Sequence, residues 1–125
     1  MLHVYKAYIA LEKYDVVKAD EIIAYCVINH PEDCDYLFEA AQYYARRCNY
    51  KKALELYERS WEAKKAPRYT DALQGIATIY KILGDKKRAA ETYDKILECL
   101  MKDWGYSKDD KPYIETERDK AEALE

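Results

Sequence analysis

Apolar residues recur at every third or fourth position along most of this chain, a spacing that places them on one face of an α-helix. Short polar breaks separate these stretches. At the clearest break, Gly84 ends one helix and Asp85 caps the next, and Thr70 is the predicted N-cap of the helix before them. The pattern predicts three pairs of helices. Their apolar positions are Val4, Ala7, Leu11, Ala19, Ile22, Ile23 and Cys26; Leu37, Ala40, Ala41, Tyr44, Ala53, Leu56, Tyr57 and Trp61; and Leu73, Ile76, Ala77, Tyr80, Ala89, Tyr93, Ile96, Leu97 and Leu100.

The three pairs are copies of one sequence unit. A shift of 36 residues places Ala89 on Ala53 and Tyr93 on Tyr57, and a weaker match at a shift of 34 places Ala19 on Ala53. A repeat with a period near 34 residues predicts a stacked array of helical hairpins in a single domain. The predicted repeats span about residues 1–33, 34–67 and 70–103.

Three positions of the unit have residues typical of a known repeat family. The first helix has a small residue, the second helix opens with an alanine, and an aromatic residue follows four positions later. In this chain these residues are Ala7, Ala41 and Ala77; Ala19, Ala53 and Ala89; and Tyr57 and Tyr93. Together with the turn at Gly84-Asp85, they resemble the tetratricopeptide repeats over residues 1 to about 103. The resemblance implies an all-α, right-handed superhelical stack of helix-turn-helix hairpins, that is, an α-α solenoid.

The chain departs from this family pattern at four places. Ile23 replaces the aromatic residue of the first copy, and Lys6 stands where an apolar residue is usual. Cys48 replaces the turn glycine of the second copy, so a less tight turn is expected there. Two extra residues around Ala66-Pro67 predict a longer connection between the second and third copies.

The two ends of the repeat array differ. After a polar break, a helix is predicted over about residues 110–124, and it would cover the last repeat as a C-terminal capping helix. The first repeat begins directly in an apolar helix. Either the natural chain extends upstream or another subunit covers this face, and Leu2, Tyr5 and Ile9 are the candidate residues for such self-association.

The family resemblance also implies a binding surface. Tetratricopeptide arrays hold peptides or partner helices in a concave groove lined by the first helix of each repeat. Here the lining residues would be Tyr8, Phe38, Gln42, Asp71, Gln74, Thr78 and Lys81, with Asp35 and Arg46 at the edges. Some family members clamp a chaperone's C-terminal carboxylate with basic side chains, but Glu39 and Asp71 at corresponding positions would repel a carboxylate.

Composition and charge narrow the function classes. The chain has 125 residues, enough for one domain, and only three glycines and three prolines, which agrees with long helices. No apolar stretch approaches the ~18–20 residues that span a bilayer. Lys6 and Glu12 interrupt the N-terminal apolar stretch, so no signal peptide is expected and we expect a cytoplasmic protein.

Tyrosine is unusually frequent, with 14 copies. Tyrosine suits interfaces because it combines a large contact area with a polar group. Several tyrosines fall at packing positions of the repeat. For the others, such as Tyr8, Tyr43 and Tyr50, packing and a partner surface are equally good interpretations.

The sequence gives little support for catalysis or for metal binding. Cys26, His30 and Cys34 are spaced as a C-x3-H-x3-C motif, but Pro31 interrupts the helix and no fourth ligand is evident. The chain has no nucleophile elbow, P-loop or pair of metal ligands on one helix. We therefore expect neither an enzyme nor a cofactor, metal or small-molecule substrate.

The sequence favours a non-catalytic scaffold or adaptor that binds a peptide or partner helix, as part of a longer protein or complex. Self-association is one alternative. The other alternative is weak binding of RNA or another nucleic acid through the Lys-rich turns, although the net charge of −3 disfavours it. These turns are Lys51-Lys52, Lys64-Lys65 and Lys86-Lys87-Arg88.

Overall fold

The computed structural model describes residues 2–105, with side chains from Val4 onward, and all regular structure in this range is α-helical. The all-α prediction is confirmed for these residues. The predicted capping helix over residues 110–124 and the side chain of Leu2 lie outside them. The chain divides into two units, residues 1–63 and 64–125. The helices are α1 (Leu2–Glu12), α2 (Val16–Asn29), α3 (Cys34–Arg46), α4 (Tyr50–Ala63), α5 (Asp71–Ile82) and α6 (Lys86–Trp104).

Consecutive helices pack as hairpins: α1 with α2 and α3 with α4 in the first unit, and α5 with α6 in the second. All three hairpins turn in the same way. Tyr14, Cys48 and Gly84 occupy the left-handed region, with φ of 61°, 59° and 75°. In each turn the next backbone N–H bonds a carbonyl five residues back, at 2.9 Å in all three cases. The expectation of a less tight turn at Cys48 is wrong, because this cysteine adopts the same left-handed conformation as the glycine.

Each of these turns also starts its second helix in the same way. The side chains of Asp15, Asn49 and Asp85 accept a hydrogen bond from the backbone N–H three residues later, at 3.1, 3.4 and 3.1 Å. Such an N-cap satisfies a helix donor that has no intrahelical acceptor. Thr70 holds the N-cap position of α5, but its side chain makes no capping bond. Its hydroxyl instead accepts from the Gln74 side chain at 3.0 Å.

The core of each hairpin is built on small residues that let two helices approach closely. Every hairpin has at least one fully buried alanine in its first helix and one in its second. An alanine at a helix crossing leaves room for a larger side chain from the opposite helix, which fills the space without a void. These alanines include the predicted repeat positions, Ala7, Ala41 and Ala77 in the first helices and Ala19, Ala53 and Ala89 in the second.

A partly buried polar cluster joins α2 to the end of α3 in the first unit. The Tyr43 hydroxyl donates to Asp20 at 2.6 Å, and the Arg47 guanidinium donates to Asp20 at 2.7 Å and to Tyr43 at 2.9 Å. The side chain of Tyr43 is completely buried. The interpretation of Tyr43 as a partner-surface residue is therefore wrong, because this tyrosine connects the two hairpins.

In the second unit, the predicted long connection is observed and is fixed to the end of α6. Residues 64–70 link α4 to α5, compared with residues 30–33 between α2 and α3. The Arg68 backbone and side chain both donate to the Asp103 carboxylate, at 3.1 and 3.2 Å. The Trp104 indole donates to the Arg68 carbonyl at 2.7 Å. The backbone N–H and the guanidinium of Arg68 hold the pKa of Asp103 below its usual value.

Candidate functional site

In the first unit, the structure brings two of the predicted groove residues together. Tyr8 of α1 lies between Arg46 and Tyr43 of α3. The Arg46 guanidinium carbon is 5.2 Å from the centroid of the Tyr8 ring, and the Tyr43 ring meets Tyr8 edge-on at 5.9 Å. A guanidinium above a tyrosine face is stabilised by the ring's negative potential. Arg46 is exposed, so its guanidinium is positioned by Tyr8 but remains accessible.

The hydroxyl of Tyr8 is the unusual atom of this face. It is buried, and it has no hydrogen-bond partner among the residues that the structure describes. A buried hydroxyl without a partner costs about 1–3 kcal/mol relative to a satisfied one. Burial raises the Tyr8 pKa, the Arg46 charge lowers it, and the Glu39 charge raises it. The hydroxyl therefore keeps its proton at neutral pH and is a donor.

Phe38 marks the opposite end of the same helix face. Its side chain is half-buried, and its ring lies 5.7 Å from that of Tyr57. Gln42, also half-buried, is four residues from Phe38 and four from Arg46, so these three side chains share one face of α3. Half-burial leaves part of each side chain available to a ligand.

A depression of about 410 Å³ adjoins Phe38. Carboxylates dominate its lining: Asp33, Asp35 and Glu39 accompany Phe38 and Tyr36. Asp33 also caps α3, since its side chain accepts from the backbone N–H of Asp35 at 3.0 Å. Sequence reasoning placed Asp35 at the groove edge but did not assign Asp33 to it, because an N-cap and a ligand-facing carboxylate have the same sequence signature.

The predicted groove residues of the second unit form a stripe on α5, and their side chains bond within the unit. Asp71 is ion-paired with Lys64. The Gln74 amide donates to Thr70, and the Thr78 hydroxyl donates to the Gln74 carbonyl at 2.9 Å. The Lys81 ammonium is 3.5 Å from the Tyr93 hydroxyl. Asp71, Gln74 and Thr78 are nevertheless exposed.

The candidate self-association residues lie on the outer side of α1. Tyr5 is 66% exposed and Ile9 is 50% exposed, so both are available for contact. In a small domain, apolar side chains this exposed are informative only where several adjoin one another.

The basic turns differ in accessibility. Lys51, Lys86 and Lys87 are exposed, but the side chain of Lys64 is only 9% exposed, because it pairs with Asp71 and donates to the Tyr69 carbonyl at 3.3 Å. Lys64 therefore acts as a structural residue of its own unit.

The candidate metal ligands Cys26, His30 and Cys34 do not form a metal-binding group among the described residues. Cys26 is buried, and His30 stacks on Tyr36 with ring centroids 3.8 Å apart. Between residues 2 and 105, no group of three or more His, Cys, Asp or Glu side chains is arranged to hold a metal ion. In the same range, no helix is long and apolar enough to cross a membrane.

No family model, curated protein or solved structure matches this chain.

Proposed function

We propose that this protein is a non-catalytic, cytoplasmic scaffold or adaptor of the tetratricopeptide repeat type, which binds a peptide or helix of a partner protein along the first helices of its repeats. Three features support the proposal: the shared turn geometry of the hairpins, their buried alanines, and the polar face formed by α1 and α3. A right-handed superhelical stacking of the hairpins is part of the same proposal.

The buried Tyr8 hydroxyl is the observation that carries the proposal. It is a donor without an acceptor among the described residues, and the exposed Arg46 guanidinium lies beside it. A backbone carbonyl or a carboxylate of a bound segment would pair with the exposed Arg46 guanidinium, and a small side-chain movement that uncovers the Tyr8 hydroxyl would let the same group accept from it. Hydrogen bonds to a charged partner group contribute more than neutral ones, about 1.5–3 kcal/mol.

The charges along α3 indicate the polarity of the ligand. Arg46 stands at the carboxyl end of the helix, and Asp35 and Glu39 stand toward the amino end. A complementary segment has an acceptor or acidic group opposite Arg46, and a basic group about two helical turns away, opposite the carboxylates. The Phe38 side chain lies among these carboxylates and would contact an apolar residue of the segment.

Substitution of Tyr8 by Phe tests the proposal sharply. The lost hydroxyl bonds nothing in the described protein, so the stability of Tyr8→Phe should be unchanged or slightly higher. Capture of partners from native lysate, quantified by mass spectrometry, should nevertheless fall by up to about tenfold. Tyr5→Phe on the exposed side of α1 is the matched control and should retain capture. Equal capture by Tyr8→Phe and the unsubstituted protein would refute the proposed binding face.

Self-association through α1 is the second candidate, favoured by the exposure of Tyr5 and Ile9. Light scattering at high protein concentration should then show a dimer or larger species that Ile9→Ser converts to monomer. Salt dependence distinguishes nucleic-acid binding through the Lys-rich turns from peptide binding and from self-association. Binding to nucleic acid displaces phosphate counterions, so its affinity should fall steeply with added salt.

A further inference from the structure

A cleft on the first hairpin has a chemistry that the proposed groove does not use. It lies between α1 and α2 and has a volume of about 320 Å³. Its apolar part consists of Ile9, Ala10 and Ile22. Three lysines stand around these residues, Lys6 and Lys13 from α1 and Lys18 from α2. We call this the lysine-rimmed cleft.

The charge of the lysine-rimmed cleft is opposite in sign to that of the whole protein. Three lysines and one carboxylate, that of Asp15, line it, whereas the chain has a net charge of −3. The Asp15 carboxylate already accepts the backbone N–H of Lys18 at 3.1 Å. No ion pair joins any of the three lysines to a carboxylate of the described residues. The cleft therefore attracts negative charge.

The spacing of these side chains suits a helix. Lys6 and Lys13 are seven residues apart, so they stand on one side of α1 about 10.5 Å from each other along the axis. Ile9 and Ala10 lie between them, and Ile22 faces them from α2. An amphipathic helix presents apolar anchors three, four and seven residues apart, and carboxylates two turns apart on that helix would reach both lysines.

We propose that the lysine-rimmed cleft binds an acidic amphipathic helix of a partner protein. The bound helix inserts one aliphatic side chain between Ile9 and Ile22, while its flanking carboxylates pair with Lys6, Lys13 and Lys18. A second copy of the same face is a poorer occupant, because it would bring two sets of lysines together. Nucleic acid is also a poorer occupant, because single strands stack their bases on aromatic rings and this lining is aliphatic.

The probe for this proposal is a synthetic acidic amphipathic peptide of about 18 residues, long enough to populate a helix, with leucines at helical spacing and glutamates on both flanks. An NMR titration of the isotope-labelled full chain should shift the backbone amides of Lys6, Ile9, Lys13, Lys18 and Ile22. Absence of binding, or shifts centred on Tyr8 and Arg46, would overturn the proposal. The second of these results would leave the α1–α3 face in place as a binding site.

Two variants with equal charge change test the lysines. Lys6→Glu with Lys13→Glu should weaken peptide binding roughly tenfold or more, since two favourable pairs become repulsive. Lys86→Glu with Lys87→Glu, at exposed positions outside the cleft lining, should change it less than about twofold, because neither lysine belongs to the proposed site. If both double variants weakened binding equally, the effect would come from the net charge of the protein rather than from the cleft, and the proposal would be overturned. Circular dichroism confirms that each variant is folded.

Further probes separate the alternative occupants. A peptide with the same leucines but with lysines in place of the glutamates should not bind. If it bound as tightly as the acidic peptide, the contact would be purely apolar and the role of the three lysines would be refuted. Vesicles of phosphatidylserine and phosphatidylcholine should not protect the cleft amides. Protection by vesicles, or a dimer that Ile9→Ser dissolves, would assign the cleft to a membrane or to a second copy instead.

Discussion

The first and second hairpins share their interior design but differ in their surfaces. Both turn through a residue in the left-handed conformation, and both bury an alanine in each helix. In both, the N-cap side chain of the second helix accepts a hydrogen bond from the backbone N–H three residues later. The second hairpin, residues 34–63, leaves none of its large apolar side chains exposed. The first hairpin leaves Tyr5, Ile9, Tyr14, Val16, Val17, Tyr25 and Ile28 exposed.

This difference shows which positions a repeat constrains. The alanines and caps recur because they set how closely the two helices of a hairpin approach and where the second helix begins. An outward-facing position is constrained only by what lies against it. Of these two hairpins, the first is therefore the one where an additional contact would bury more apolar area.

The largest effect is expected from a matched pair of truncations. Leu37 is fully buried in the second hairpin, so Leu37→Ala should lower the free energy of unfolding by about 3 kcal/mol. Ile9→Ala, at a half-exposed position of the first hairpin, should lower it by less than about 1 kcal/mol. Urea denaturation of both variants measures the difference. Similar losses would mean that the two hairpins do not differ in burial in solution.

The junction between these hairpins should give the next largest effect. Asp20→Ala leaves the buried Tyr43 hydroxyl without its acceptor and Arg47 without its ion pair, so we expect a loss of about 2 kcal/mol. Tyr43→Phe removes the hydroxyl and leaves the Arg47 pair, so about 1 kcal/mol should be lost. Urea midpoints measure both, and the double variant shows their coupling. A neutral Asp20→Ala would contradict the structural role of this cluster.

Smaller effects are expected at the turns, where the hairpins are alike. Cys48→Gly should raise stability by about 0.5–1 kcal/mol, because glycine adopts a positive φ without the steric cost of a Cβ. Gly84→Ala should lower stability by about 1 kcal/mol for the converse reason, although an added Cβ meets no atom within 4 Å. Thermal melts compare the two, with Cys48→Ala as the control for loss of the thiol. If both substitutions raised stability, or both lowered it, the two turns would not share the left-handed backbone conformation.

The smallest effect at neutral pH is a titration effect. Burial, followed by the hydrogen bond to Asp20 and its charge, raises the Tyr43 pKa above the usual 10.0. Because the folded pKa is the higher one, this contribution to stability is complete below pH 10 and is lost as the pH rises toward the folded value. The urea midpoint of unfolding should therefore decrease as the pH rises above 10. This decrease should be less steep in Tyr43→Phe than in the unsubstituted protein. Burial also raises the pKa of Tyr8 and Tyr44, so part of the slope should remain. Equal slopes would contradict the burial of the Tyr43 hydroxyl.

The candidate site was only partly predictable. The family resemblance implied Tyr8, Phe38 and Gln42 as groove residues with Arg46 at the edge, and the structure places Tyr8 against Arg46. Helical periodicity did not distinguish Tyr43, which lies one residue from Gln42 yet is completely buried. A helix face in contact with two neighbours has a wide buried sector, and the width of that sector depends on the neighbours rather than on the helix.

The sequence by itself determined the helices and the turn and cap at Gly84-Asp85, because these features depend on residues within five positions of one another. It did not determine the left-handed turn at Cys48 or the absence of a capping bond from Thr70. The tertiary structure alone decided how Tyr43 finds Asp20, 23 residues away, and how Arg68 finds Asp103, 35 residues away. It also decided that three lysines from two helices surround one cleft. Such groupings depend on how the helices are rotated and packed, and a pattern read along the chain does not contain that information.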